Sequence, residues 1–361
     1  MAGDQIQIGS LIFDVPKGRL PLLNTGLTTR TAVVKAEAVL DSVFEENPDV
    51  HTVSFMGDHT SGNQIKWSLN SYGYSPHTLQ FYLDAVEELL ADKATTHKPV
   101  IISITGTPEG VEGGIERIHK WATDKVERPA ERIGIEINLS CPNQIAGATI
   151  PSGYDAVSIS AYVRRIQVAV ERSVEANRTA LTIGLKLPPY TYEAQFTALV
   201  EALEARVNSR GQCGIHFLTA TNTLGSSLWL SEQNGILSPS LPVLKGFTGF
   251  GGLAGAALHP LALGEPPNRQ GWRLSPLITN KKLTIEILNV WQGNVRRHRT
   301  LLDASTHTSI RALRIIGAGG VDSQLAAQRM VAAGADIVGL ATALGQRGPD
   351  IFAEIAAQTK E

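Results

Sequence analysis

Apolar positions along this chain cluster in short continuous runs, and most of these runs are followed by a stretch with helical spacing. Val100 to Thr105, Ile133 to Leu139, Thr182 to Leu187, Ile215 to Thr219, Leu313 to Ile316 and Ile337 to Leu340 are the compact runs. Pro108 to Trp121, Ala156 to Ser173, Tyr192 to Val207 and Ser323 to Ala333 carry the amphipathic spacing between them. A strand that is apolar on both faces and leads into a helix belongs to a parallel sheet with its outer face covered. Six such units in one chain favour a (β/α)8 TIM barrel over a doubly wound sheet. No short-period repeat points to a solenoid.

The polar residues interrupt this pattern at the carboxyl ends of the strands. Lys186 follows Ile183-Gly184-Leu185, Asn222 and Thr223 follow the run at Ile215 to Thr219, Gly317 to Gly320 follow Ile315-Ile316, and Thr342 follows Gly339-Leu340. In a parallel barrel these ends share one face, where an active site is built. The octapeptide Glu136-Ile137-Asn138-Leu139-Ser140-Cys141-Pro142-Asn143 is the most informative of them. It delivers a thiol between two carboxamides, a proton acceptor beside groups that grip a flat polar ligand. A buried strand ending in a Pro-Asn turn accounts for the same residues.

Composition narrows the function classes. The chain has 361 residues, 43% hydrophobic and 18% charged, enough for one large barrel, and its net charge of −2 without a long basic run argues against a nucleic-acid partner. The two cysteines, Cys141 and Cys213, lie far apart and form no CxxC or metal-ligand spacing, which fits a reducing, cytoplasmic setting. Met1 to Ser10 is polar and lacks a charged-then-apolar leader pattern. No apolar stretch approaches the roughly 20 residues that span a bilayer. The nine histidines form no HExxH or close pair, and no nucleophile elbow occurs.

Several smaller features carry candidate chemistry. Ile315-Ile316-Gly317-Ala318-Gly319-Gly320-Val321 is a glycine turn between strand and helix. Its backbone N–H groups suit a phosphate, and a tight turn needs the same glycines. The downstream Ala341-Thr342 tilts the reading toward phosphate, because barrels often bind it at the last two strand ends. Gly246 to Gly252 is a second glycine cluster, a source of phosphate donors or a flexible loop. Lys186 at the mouth of a core strand calls for a partner, since burying an unpaired ammonium is expensive. The alternative is a lysine that reaches solvent past the rim. Asn70-Ser71-Tyr72-Gly73 reads as a turn that can also present a carboxamide.

Taken in order, Asn-Leu-Ser-Cys-Pro-Asn at Asn138 to Asn143, Lys186-Leu-Pro-Pro-Tyr190, Thr221-Asn-Thr-Leu-Gly225, Gly249-Phe-Gly-Gly-Leu-Ala-Gly255 and Ile316-Gly-Ala-Gly-Gly-Val321 resemble dihydroorotate dehydrogenase. The resemblance is to class 1, of the 1A kind with a fungal cytosolic flavour, and runs from about Leu20 to the C-terminus. It implies a single barrel domain over residues 1–361 that binds FMN, works as a homodimer, and oxidises dihydroorotate to orotate in pyrimidine biosynthesis, with fumarate as the acceptor. Cys141 matches the class 1 base. Asn70, Asn138, Asn143, Asn222, Thr223 and Arg30 match substrate-binding positions. Asn138, Lys186, Gly251, Gly252, Gly319, Gly320 and Thr342 match positions that hold FMN, with Lys186 near its N1 edge.

The sequence departs from the family in five places. Only Thr25-Gly26-Leu27 separates Leu22-Leu23-Asn24, which resembles the first strand, from Thr28-Thr29-Arg30-Thr31, which resembles the second. A parallel crossover takes at least about 10–12 residues, so the first β/α unit reads as truncated. Arg30 stands where the family has lysine, and the two are not interchangeable at a tight site. Glu265 to Gln292 intervenes between Leu263-Gly264 and Asn294-Val295 as an insertion, a surface loop or a translated intron. Tyr74-Ser75-Pro76-His77 replaces a Leu-Pro-Asn, and Ala341 replaces a glycine beside the phosphate threonine. These departures keep two other readings open: an FMN barrel acting on another pyrimidine-like ring, and a degenerate, non-catalytic paralogue.

Overall fold

The computed structural model describes residues 4–17, 19–23, 27–34, 52–58, 64–92, 98–140, 150–176, 178, 180–233, 236–244, 249–263 and 293–356. Cys141, Asn143 and the insertion at 265–292 therefore lie outside the described residues.

The strands are β1 (Asp4–Ile8), β2 (Leu11–Val15), β3 (Leu27–Thr28), β4 (Ala32–Val34), β5 (Val53–Asp58), β6 (Gln64–Asn70), β7 (Val100–Gly106), β8 (Ile133–Asn138), β9 (Thr182–Lys186), β10 (Phe217–Ala220), β11 (Leu224–Leu228), β12 (Leu230–Gln233), β13 (Ile236–Pro242), β14 (Phe250–Gly255), β15 (Arg314–Ala318) and β16 (Ile337–Gly339). A parallel sheet runs β16-β15-β10-β9-β8-β7-β3, with β4 also on β7, and Leu22 adds a parallel bridge to Val338 beyond β16. Counting β3 and β4 as one position and the Leu22 bridge as another, this is the eight-position order of a (β/α)8 barrel. The ring stays open at one seam, between the Leu22 segment and β3, among the described residues. That seam falls at the truncated first unit, where the chain is too short to carry a helical crossover.

Helices Pro108–Lys125, Ala156–Glu175, Glu193–Glu204, Asn294–Ala304 and Gln324–Ala333 cover the outside. Their starts are capped locally. The Thr107 hydroxyl accepts the Gly110 N–H at 3.1 Å with Pro108 in the first turn, Asp155 accepts from Ser158 at 2.9 Å, and Ser323 accepts from Ala326. The Gln324–Ala333 helix ends at Gly334, whose φ of 111° is left-handed.

Period-two alternation divides the strand side chains between two cores. Ile102, Ile104, Ile135, Ile137, Ile183, Leu185, Leu218 and Ile315 face outward and pack with Val111, Ile115, Val163, Ile166 and Leu199. Ile101, Phe217, Ile316 and Ile337 face inward and form a second cluster with Ile8, Leu11 and Phe13 of the N-terminal hairpin. The hairpin plugs the amino end of the barrel. Ser10 N–H donates to the Thr182 hydroxyl at 2.9 Å, and that hydroxyl donates to the Ile8 carbonyl at 3.2 Å. Gly134 and Gly184 leave room for the plug: a Cβ on Gly134 would lie 2.7 Å from Leu11 Cδ1, and one on Gly184 would lie 2.4 Å from the Phe217 ring. The stretch read as a polar terminus is thus half of a plug strand, with Ile6 and Ile8 alternating against Gln5 and Gln7.

A second, antiparallel sheet runs β11-β14-β6-β5. It contains residues expected in loops. Asn70 ends β6 rather than occupying a turn, and Gly251 and Gly252 lie in β14 rather than in a flexible loop.

Candidate active site

The amino-end plug leaves the opposite half of the barrel interior to polar side chains. Moving up the axis from Phe217 and Ile101, the next inward residues are Ser103, Glu136 and Thr219, followed by Asn138 and Lys186 at the carboxyl ends. Glu136 is only 3% exposed. Its carboxylate accepts the Ser103 hydroxyl at 3.0 Å and the Thr219 hydroxyl at 2.7 Å. Two hydroxyl donors satisfy a buried acid that would otherwise be costly.

The rim above is joined to this acid. The Thr31 hydroxyl lies 2.9 Å from Ser103 Oγ, and Asn138 Nδ2 donates to Thr31 Oγ1 at 3.1 Å. Asn138 Oδ1 accepts both the Ser140 N–H at 3.0 Å and the Ser140 hydroxyl at 2.8 Å. Asn222 Nδ2 donates to Ser140 Oγ at 2.9 Å and to the Ser140 carbonyl at 3.2 Å, while its Oδ1 accepts the Thr223 N–H at 2.8 Å. Ser140, the last described residue before Cys141, is therefore fixed at its N–H, its hydroxyl and its carbonyl.

A cavity of about 200 Å³ opens at these strand ends. Of the residues singled out in the sequence, Lys186, Asn222, Thr223, Gly319, Gly320 and Thr342 line it. Lys186 is half-buried, and its ammonium makes no hydrogen bond or ion pair among the described residues. Gly320 has a φ of 68°, and a Cβ there would meet the Gly255 carbonyl at 2.6 Å. The Thr342 hydroxyl is 3.0 Å from Ser68 Oγ, which ties the antiparallel sheet to the last strand end.

Four of the expected residues stand elsewhere. Asn70, Gly251 and Gly252 are grouped on the antiparallel sheet, where Asn70 pairs with Gly252 and donates to its carbonyl at 3.2 Å. A Cβ on Gly251 would lie 2.4 Å from the Asn70 carbonyl oxygen, so this glycine permits close strand approach and does not line the cavity. Arg30 is exposed, with its guanidinium carbon 5.6 Å from the Tyr72 ring centroid. Asn138 sits just beneath the cavity and is 5% exposed.

The cavity also draws in residues to which the sequence reading gave no role in the site: Glu136, Gly255, Leu258 and Gly339. Gly339 is the informative one. A Cβ there meets nothing closer than 3.5 Å, so its smallness serves the open space rather than the packing. Its position two residues after the last buried alternation, beside Thr342, was the available signal.

The donor set suits a phosphate-bearing flavin. Gly319 and Gly320 bring bare backbone to one wall, Thr342 adds a hydroxyl, and Lys186 places a cation at the other end. The described walls enclose less than the roughly 300–1,000 Å³ of sites for ligands of such size, and the neighbouring segments 141–149 and 245–248 lie outside the described residues. Among the described residues no helix is long and apolar enough to cross a membrane, and no cluster of metal-ligating side chains occurs.

A family model described as dihydroorotate dehydrogenase matches residues 59–265. A putative dihydroorotate dehydrogenase A (fumarate) of Streptococcus equi subsp. equi (strain 4047) is 25% identical over 295 residues, covering 81% of this chain and 72% of that protein. The protein of the same description from Streptococcus pyogenes serotype M1 is 26% identical over 294 residues with the same coverage. Among solved structures, ligand-free DHODH from Eimeria tenella aligns with a TM-score of 0.47 and 15% identity, covering 80% of this chain and 68% of that one. The same organism's DHODH in complex with ferulenol aligns at 0.48 and 17%, covering 80% and 66%.

Proposed function

From the premise that the chain belongs to the dihydroorotate dehydrogenase family, whose model covers more than half of it, we propose that it is a class 1 enzyme oxidising dihydroorotate to orotate with FMN, in pyrimidine biosynthesis. The observation that carries this reading is the convergence of Lys186, Asn222, Thr223, Gly319, Gly320 and Thr342 on one cavity at the carboxyl ends of the barrel strands.

When bound, FMN supplies the acceptor for the hydride that leaves C6 of the substrate. Cys141, as thiolate, takes the proton from C5, so both C–H bonds break and the ring double bond forms. Its place in the chain next to Ser140, which Asn222 and Asn138 hold, supports this role. A thiol of ordinary pKa near 8.5 is a usable base once part of it is ionised. Asn138, Asn143 and Thr223 grip the pyrimidine, with Asn70 and Arg30 approaching from the antiparallel sheet and the second strand end. Asn222 contributes by fixing Ser140, because its carboxamide is already engaged there. Gly319, Gly320 and Thr342 hold the phosphate, and Gly251 and Gly252 shape the sheet above it. Lys186 balances negative charge at the ring edge. Fumarate as acceptor is supported by the description of the streptococcal relatives. A homodimer is supported by the exposed Leu228, Trp229 and Phe250 along the antiparallel sheet. A cytoplasmic location belongs to the same reading, and the free, buried Cys213 thiol supports a reducing setting.

One observation favours a related pyrimidine-like substrate. Where the family has a carboxamide, His77 is exposed and stacked on Phe81 at 4.1 Å, while Ser75 is buried against the Tyr82 hydroxyl. That segment offers its polar atoms to the fold.

Purified protein is expected to be yellow, with flavin absorbance at roughly 450 nm, and to bleach when dihydroorotate is added without air. Flavin that stays oxidised with dihydroorotate but bleaches with another dihydropyrimidine selects the related substrate. Protein that rejects added FMN removes the enzyme reading in favour of a non-catalytic paralogue.

A further inference from the structure

The site contains a buried acid that the proposed chemistry leaves unassigned. Glu136 stands two residues before Asn138 on the same inward face of β8, lines the cavity, and hydrogen-bonds to hydroxyls rather than to a charged side chain among the described residues. We propose that Glu136 is a positioning residue: as terminal acceptor of the hydrogen-bond chain through Ser103 and Thr31 it leaves the Thr31 oxygen to accept from the Asn138 NH2 group, and so anchors the nitrogen end of a carboxamide whose oxygen the Ser140 N–H holds. The proposal rests on the dihydroorotate reading and names a determinant of substrate binding within it.

The direction follows from what each group can do. Glu136 accepts a hydroxyl at each of its two oxygens, and Ser103 donates its single hydroxyl proton to one of them. The Ser103 oxygen is then left to accept, and the Thr31 hydroxyl must donate to it. The Thr31 oxygen in turn must accept, which requires the NH2 end of Asn138 on that side. The Asn138 carbonyl oxygen is thereby turned to Ser140, whose N–H and hydroxyl both donate to it. Ser140 Oγ is left to accept from Asn222. Every bond from Asn222 to Glu136 is thus consistent in one sense only, fixed at one end by the carboxylate and at Asn138 by the Ser140 N–H, which can only donate. The second N–H of Asn138 remains for an acceptor oxygen on the substrate. Without Glu136 as terminal acceptor, Ser103 can turn its proton toward Thr31, and the Asn138 NH2 group loses a dependable acceptor while the Ser140 N–H still holds the carboxamide oxygen.

The test separates this role from a purely structural one. Ser103→Ala cuts the series while leaving Glu136 and Asn138 in place, and Ser103→Thr restores the hydroxyl. Glu136→Leu removes the terminal acceptor. Orotate affinity measured by calorimetry on flavin-loaded protein, and KM and kcat for dihydroorotate, are the readouts. Ser103→Ala is expected to weaken orotate binding and raise KM at least tenfold, with kcat moving less than threefold, and Ser103→Thr to recover most of the loss. Glu136→Leu, if it folds, is expected to match Ser103→Ala, and the double variant to be no worse than either alone. Ser103→Ala with wild-type orotate affinity and KM overturns the proposal, as does an equal loss in Ser103→Thr. A wild-type protein that binds flavin but is not reduced by dihydroorotate overturns the underlying reading instead.

Discussion

The two ends of the barrel are built from the same strands and behave as opposites. At the amino end the inward positions are Ile101, Phe217, Ile316 and Ile337, closed by Ile8, Leu11 and Phe13 of the hairpin into a dry plug. One or two residues further along β7, β8 and β10 the inward positions become Ser103, Glu136, Thr219 and Asn138, and the interior turns polar. The difference teaches that stability and chemistry are divided along the barrel axis. The plug holds the ring together although it is unclosed at the seam between Leu22 and β3, and so allows the other end to bury an acid and to keep a lysine facing open space.

Breaking the plug is expected to have the largest effect. Phe217→Ala removes a fully buried ring that packs on Gly184 and is expected to lower stability by about 3–5 kcal/mol, read in a denaturant melt. Flavin binding by the folded fraction should persist. If flavin is lost while the melt is unchanged, the division fails.

Acid should weaken the amino end next. His119 accepts the Leu181 N–H at 3.2 Å through Nε2 and lies 2.9 Å from the Ser173 hydroxyl, just before β9. Burial pushes its pKa down from 6.5 to about 4. The folded state therefore binds fewer protons than the unfolded state between these values, so stability is complete above pH 6.5 and is lost as pH falls toward 4. The loss is at most about 3 kcal/mol. Melting temperatures from pH 7.5 to 4.5 should show this slope, and His119→Gln should flatten it. An unchanged slope in the variant assigns the acid sensitivity to other groups, such as the buried His298, whose pKa falls to about 3.

At the carboxyl end a substitution should do the reverse. Gly339→Val projects into the cavity past neighbours no closer than 3.5 Å. It is expected to weaken FMN binding more than tenfold, about 1.4 kcal/mol or more, with little change in melting temperature. Retained flavin in this variant would detach the cavity from the cofactor. Thr219→Val takes one of the two hydroxyl donors from Glu136 and should cost about 1–3 kcal/mol of stability, because the acid's burial is then less well compensated.

Much of this division was legible in the chain. The continuous apolar runs of β7, β8 and β9 gave the parallel sheet, and the amphipathic spacing from Pro108, Ala156 and Ser323 gave the covering helices. The strand-end residues Lys186, Asn222, Gly319, Gly320 and Thr342 were readable because a parallel barrel brings such ends together whatever their separation in sequence. The plug was not read. Ile6 and Ile8 alternate with Gln5 and Gln7, but Ile12 stands between Leu11 and Phe13, so the average character hides a period of two that matters only against the barrel floor. Glu136 escaped for a different reason. Its two partners stand 33 and 83 residues away on β7 and β10, and nothing local distinguishes an acid held by hydroxyls from one at a surface. Gly251 was assigned to the ligand because glycine suits a phosphate cradle and a crowded strand pair equally, and only the Asn70 carbonyl beside it tells them apart.

The central claim, that the polar end of the barrel is a site where a thiolate at Cys141 opens dihydroorotate to hydride loss, is tested most directly by the rate of anaerobic flavin reduction by dihydroorotate across pH. The account predicts a rate that rises with pH and levels above about 8.5, and a fall of at least 100-fold in Cys141→Ser at neutral pH. A rate that is flat over that range and survives the substitution would contradict it.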